Sequence, residues 1–211
     1  MLDKNTLYTN WLEYVFNRPA TDPEWYFGEN EDFRASQAEM VYLIGRTCER
    51  SGNDLAGYSN EQVNNGLSYM FFCHASNTVY AIIQEGCEER EQIEAVKKMK
   101  ILYRDCLAKR CDPVLSHKHE ATSNPLSYFC YMLWDVSPLR QWKDIVIEVM
   151  ETALYLPNPT CIESALHGLG HRYYQNPDAV RDVIDRFLSS NKDLDSELKH
   201  YARQARTGKV M

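Results

Sequence analysis

Four times in its C-terminal half the chain sets an Asn or Ser directly before a proline: Asn124-Pro125, Ser137-Pro138, Asn158-Pro159 and Asn176-Pro177. An Asn or Ser side chain accepts hydrogen bonds from the orphan amides of a helix's first turn. Proline at the next position gives up an N–H that would be unpaired anyway. The four marks therefore predict helices over 125–134, 138–155, 159–175 and 177–190. The punctuation repeats after 34 residues (Asn124 to Asn158) and 39 residues (Ser137 to Asn176), which is the period of helical-repeat proteins.

The rest of the chain has the same character. No alternating β-branched run competes with the 3.6-residue pattern, and only nine glycines occur. Leu7, Trp11, Tyr14 and Val15 stripe a helix over 6–17, which Pro19 and Pro23 end. Met40, Leu43, Ile44 and Thr47 stripe another over 36–50. Ser59 and Gln62 make a capping box for a helix over 59–72. A further helix is expected from Ser76 to a break at Gly86. Over 88–110 the acids precede the bases, as the helix dipole favours, and 193–206 repeats that order. With no linker to divide it, the chain reads as one all-α domain over 1–211. The expected architecture is an irregular α-solenoid, a HEAT-like stack of antiparallel pairs with nine to ten helices.

Composition narrows the class of function. Hydrophobic content of 44% and charged content of 25% are ordinary globular values. A formal charge of −7 argues against nucleic acid, whose phosphates need clustered Lys and Arg. It is compatible with a basic protein partner, although keeping the protein soluble is the primary explanation of a charge of this size. No run reaches the roughly 18 apolar residues of a membrane span. The opening MLDKNTLYTNWLEYVF has polar residues where a signal peptide carries bases and then an apolar core. A cytoplasmic protein is expected. The seven cysteines are scattered without a CxxC pair, and Cys48, Cys73, Cys130 and Cys161 sit in apolar helical stretches as reduced, buried thiols.

Three groups of residues invite chemistry. Glu163, His167 and His171 follow one another at intervals of four, so all three line one helix face. Such a set packs between helices or holds a metal. Packing is the primary reading, because Gly168 stands where the zincin pattern places its glutamate. Cys106, Cys111, His117 and His119 form a second soft-ligand group, but Cys106 and Cys111 diverge unless the helix ends between them. No GxSxG elbow, P-loop or GxGxxG turn occurs, so neither an enzyme nor a cofactor is expected. The third group is the aromatic and acidic loop over 25–33. Trp25, Tyr26, Glu29, Glu31 and Asp32 there suit a partner-binding surface, while Trp25, Phe27 and Phe33 suit a plug over the end of the stack, which is the primary reading.

The segments Pro125-Leu126 through Cys130-Tyr131-Met132-Leu133-Trp134-Asp135 and Glu163 through His171 resemble an uncharacterised bacterial all-helical family of HEAT-like repeats. Glu13-Tyr14-Val15-Phe16-Asn17-Arg18-Pro19 fits the same pattern. Some proteins of this look are immunity proteins. The resemblance implies a non-catalytic binding module that neutralises a cognate toxin by direct contact, and it brings no catalytic residue; the acidic balance suits a basic toxin. A metal-dependent enzyme built on Glu163, His167 and His171, or a structural homo-oligomer, is the alternative.

Overall fold

Side-chain caps set many of the helix starts, though not those at Glu89, Lys143 and Pro177. Asp3 accepts from the amides of Asn5 and Thr6 at 2.9 and 3.2 Å and opens α1 (Lys4–Phe16). Ser36 with Glu39, and Ser59 with Gln62, close capping boxes ahead of α2 (Gln37–Asp54) and α3 (Asn60–Phe71). A helical run follows as α4 (Glu89–Lys97), α5 (Met99–Leu102), a π-helical turn at Tyr103–Leu107 and α6 (Ala108–Arg110). Asn124 and Asn158 accept from the amides of Leu126 and Thr160, and each has proline in the first turn that follows, opening α7 (Pro125–Val136) and α9 (Pro159–Arg172). Between those two lies α8 (Lys143–Leu154), and α10 (Pro177–Ser190) and α11 (Ser196–Ala205) complete the chain. The computed structural model describes residues 3–22, 24–28, 32–139 and 142–210, and among them there is no β-strand. The protein is all-α. No helix among the described residues is long and apolar enough to cross a membrane.

Three expectations about elements change. Ser137 closes α7 instead of opening the next helix: its amide bonds to the Leu133 carbonyl at 3.2 Å, and α8 starts only at Lys143. The stretch 76–86 holds a 3₁₀ turn at Thr78–Ile82, and Gly86 at φ 118° ends it. The run over 88–110 is helical from Glu89 to Arg110 rather than from Glu88, and its bonding pattern changes at Lys98 and again at the π turn. Cys73 is exposed, unlike Cys48, Cys130 and Cys161, which are buried as expected.

Helix α9 occupies the centre of the C-terminal half, packed against α7, α8, α10 and α11. Its sequence explains how neighbours come so close. A Cβ at Gly168 would lie 2.7 Å from Trp134 Cγ and 2.8 Å from Met150 Cε, and one at Gly170 would meet Val210 at 2.5 Å. On the α5–α6 side, the Tyr103 hydroxyl bonds Ser164 Oγ at 2.8 Å, and Tyr103 lies parallel to Trp134. In the N-terminal half α3 packs on α1 and reaches α7, while α2 packs on α4 and α5. Trp11 anchors α1 there, its indole N–H bonded to Thr47 Oγ1 at 3.0 Å. One continuous apolar core joins the two halves.

Candidate metal centre

Glu163, His167 and His171 lie on α9, but they do not converge on one point. Eight residues of helix separate Glu163 from His171 by about 12 Å along the axis, too far for one carboxylate to reach both imidazoles. Glu163 is instead completely buried against the segment between α6 and α7. Its carboxylate accepts from the amides of Ser116 and His117, both at 2.9 Å, and its Oε1 lies 2.5 Å from His117 Nδ1. Burial pushes the Glu163 carboxyl above its usual range, and these hydrogen bonds pull the other way. Sequence spacing offered Glu163 with the two histidines as a ligand set only as the alternative to packing. The structure gives it a different task, fastening the 111–124 segment to α9.

The carboxylate that does approach the histidines is Asp135, from the last turn of α7. One ligand atom each from Asp135, His167 and His171 lies within 4.8 Å of the others. The two Nε2 atoms are 3.0 Å apart, and His171 Nε2 is 3.7 Å from Asp135 Oδ1. Bonds of about 2.0–2.1 Å to a tetrahedral ion would separate neighbouring donors by about 3.3 Å, so these distances bracket the required edge. His167 is 2% exposed, whereas the side chains of Asp135 and His171 are 39% and 38% exposed. The group is thus closed on one side and open to solvent on the other.

His167 is held from behind. Its Nδ1 lies 2.7 Å from the Tyr201 hydroxyl of α11, its ring packs on Tyr131 at 4.4 Å, and the Tyr131 and Tyr201 hydroxyls are 3.4 Å apart. Tyr201 is itself stacked by His117, centroids 4.1 Å apart and planes 14° from parallel. Burial, helped by the neighbouring His171, lowers the His167 pKa to about 4. The imidazole is therefore neutral near pH 7, the form that binds metals.

The second soft-ligand group comes apart. Cys106 and Cys111 are buried, Cys111 with its Sγ 3.4 Å from the Leu126 carbonyl, while His119 is exposed in a left-handed turn at φ 55°. Of that group, His117 alone joins the centre, through Glu163 and Tyr201.

The aromatic loop is divided as well. Trp25 is 3% exposed, stacked on Tyr69 at 5.0 Å and covered by the Arg18 guanidinium at 4.2 Å. Tyr26 is half-buried, while Phe27 and Asp32 are exposed. Glu29 and Glu31 lie outside the described residues. Trp25 is accordingly buried as a plug, and among the described residues of the expected surface Tyr26 and Asp32 keep exposed area. A groove of about 370 Å³ between α1, α2 and α4, floored by Leu7, Val41 and Ala95, lies apart from all these groups.

Asp135 and Tyr201 are the residues that sequence reasoning missed. Asp135 reads as a terminal turn residue, because nothing in a single helix's spacing shows that its end abuts another helix. Tyr201 carries no signal beyond its place on an apolar stripe. Comparison with protein-family models, with curated proteins and with solved structures gave no match.

Proposed function

We propose that the protein binds a divalent transition-metal ion of the zinc class through Asp135, His167 and His171, and that its chemistry takes place at the coordination position these three leave open. The observation that carries this reading is the convergence of two imidazoles and a carboxylate, from two helices, within 4.8 Å. Two imidazoles and a carboxylate suit zinc better than the hard cations calcium and magnesium, which take all-oxygen shells. Three protein ligands with a solvent-facing fourth position are the stoichiometry of hydrolytic zinc sites, where the ion brings the pKa of a bound water to about 7. The half-exposed side chains of Asp135 and His171 supply that open face.

The test is zinc content after dialysis of chelated protein against Zn(II). We expect one zinc per chain, lost in Asp135→Ala and in His171→Ala. Both side chains are partly exposed, so these variants keep the fold. Retention of the zinc in both would reject the ligand set.

A second reading, a non-catalytic module for a basic protein partner such as a toxin, keeps one observation in its favour: Phe27 is 58% exposed beside the half-buried Tyr26. Capture of a near-stoichiometric basic partner by metal-free protein, lost in Phe27→Ala, would favour it.

A further inference from the structure

From the hydrogen-bonded chain behind His167 we infer that Tyr201, held in place by the Glu163–His117 pair, is a positioning residue that fixes the tautomer and direction of His167. The inference rests on the metal reading and concerns what makes His167 a ligand. An imidazole that presents Nε2 to a cation must carry its proton on Nδ1. In this structure Nδ1 faces the Tyr201 hydroxyl at 2.7 Å and Nε2 faces His171 at 3.0 Å. The ligand tautomer therefore donates Nδ1–H to Tyr201 Oη. The Tyr201 proton is then directed at the Tyr131 hydroxyl, 3.4 Å away.

Tyr201 can act in this way because it cannot move. It is 2% exposed, and the His117 ring lies flat against it at 4.1 Å. His117 is fixed in turn, since Glu163 takes its Nδ1 and its backbone amide, together with the amide of Ser116. The chain of fixed contacts runs from Glu163 through His117 and Tyr201 to His167. It leaves α9 near its first turns and returns to it four residues later. This accounts for the spacing of the motif: Glu163 belongs with His167 and His171 as a support acting through two intervening rings, and not as a third ligand. Such outer partners typically govern 10–100-fold of metal affinity.

Tyr201→Phe removes the hydroxyl and keeps the ring that His117 stacks on. The first readout needs no metal: ¹⁵N chemical shifts of His167 in the metal-free protein. We expect the Nδ1–H tautomer in the wild type and a mixture, or the Nε2–H form, in Tyr201→Phe. A wild-type His167 protonated on Nε2, or an unchanged tautomer in the variant, would overturn the inference. The second readout is Co(II) titration followed by the visible ligand-field bands. We expect about 10–100-fold weaker binding in Tyr201→Phe, with shifted bands. Wild-type binding with equal affinity and an identical spectrum in the variant would overturn the positioning role and leave the metal reading intact. A wild type that binds no Co(II) while showing the expected tautomers would overturn the metal reading and leave the positioning of His167 standing.

Discussion

Replacing Gly168 by alanine tests the packing on which the centre depends. The added Cβ would stand 2.7 Å from Trp134 Cγ and 2.8 Å from both Trp134 Cβ and Met150 Cε, where ordinary contacts begin at 3.4 Å. The shortfall is about 0.7 Å. Met150 Cε ends a flexible side chain and can swing away, but Trp134 Cβ and Cγ are tied to the α7 backbone, and the indole is 1% exposed. Overpacking of this kind costs about 1–3 kcal/mol, and a clash with atoms so near the backbone belongs at the upper end. Against it stands the gain of about 1 kcal/mol when Gly becomes Ala inside a helix. The net expectation is a loss of about 2 kcal/mol. At about 2–4 °C per kcal/mol for a chain of this size, the melting temperature falls by about 4–8 °C. Because Asp135 follows Trp134 directly, relief of the clash also moves a proposed ligand, so zinc binding should weaken in the same variant. Urea and thermal unfolding of metal-free protein measure the first effect, and zinc titration the second. A Gly168→Ala protein about 1 kcal/mol more stable than wild type would show helix propensity acting alone, and would refute the close approach of α7 and α9.

Glu163→Gln keeps the side chain's size but turns an amide group toward N–H donors, losing charge-assisted hydrogen bonds worth about 1.5–3 kcal/mol each. Relief of the buried charge offsets part of this, so a net destabilisation of about 2 kcal/mol is expected in urea unfolding, and an unchanged midpoint would contradict the fastening role. Trp25→Ala, alone or with Glu31→Ala, should cost about 3–5 kcal/mol as a buried-aromatic deletion. A folded variant with an unaltered melting temperature would return the loop to the status of an interface. The metal-free protein should weaken in acid. With the His167 pKa at about 4 in the fold against 6.5 when unfolded, the unfolded chain binds the extra proton between those values. His167's contribution is therefore full above pH 6.5 and is lost as the pH falls toward 4, by up to about 3 kcal/mol. Burial, His171 and His117 disfavour its charge while Asp135 favours it, so unfolding midpoints at pH 7.5 and 4.5 that differ no more in wild type than in His167→Gln would refute this assignment.

Local chemistry was the legible part of the fold. Asn124-Pro125, Asn158-Pro159 and Asn176-Pro177 each open a helix, because proline in the first turn acts whatever surrounds it. Asn124 and Asn158 also cap with their side chains, whereas Asn176 makes no such bond. Ser137-Pro138 misled, because that serine closes α7 and α8 starts only at Lys143. The stretch after Ser76 has helical composition, yet it yields to a 3₁₀ turn whose Val79 and Ile82 are fully buried. At the centre, periodicity placed Glu163, His167 and His171 on one face, and the same spacing already set about 12 Å of helix axis between Glu163 and His171. That distance separates Glu163 from the imidazoles. Asp135 and Tyr201 enter from α7 and α11, more than thirty residues away in either direction. Their arrival depends on how small residues such as Gly168 let the helices pack, which no pattern within a single helix records.

The most direct test of the metal centre is an anomalous difference map from crystals of the zinc-treated protein, recorded at the zinc absorption edge. The account predicts one peak within coordinating distance of Asp135, His167 Nε2 and His171 Nε2, with none at Glu163. Absence of a peak there, or a peak held by His117 and Glu163, would contradict it.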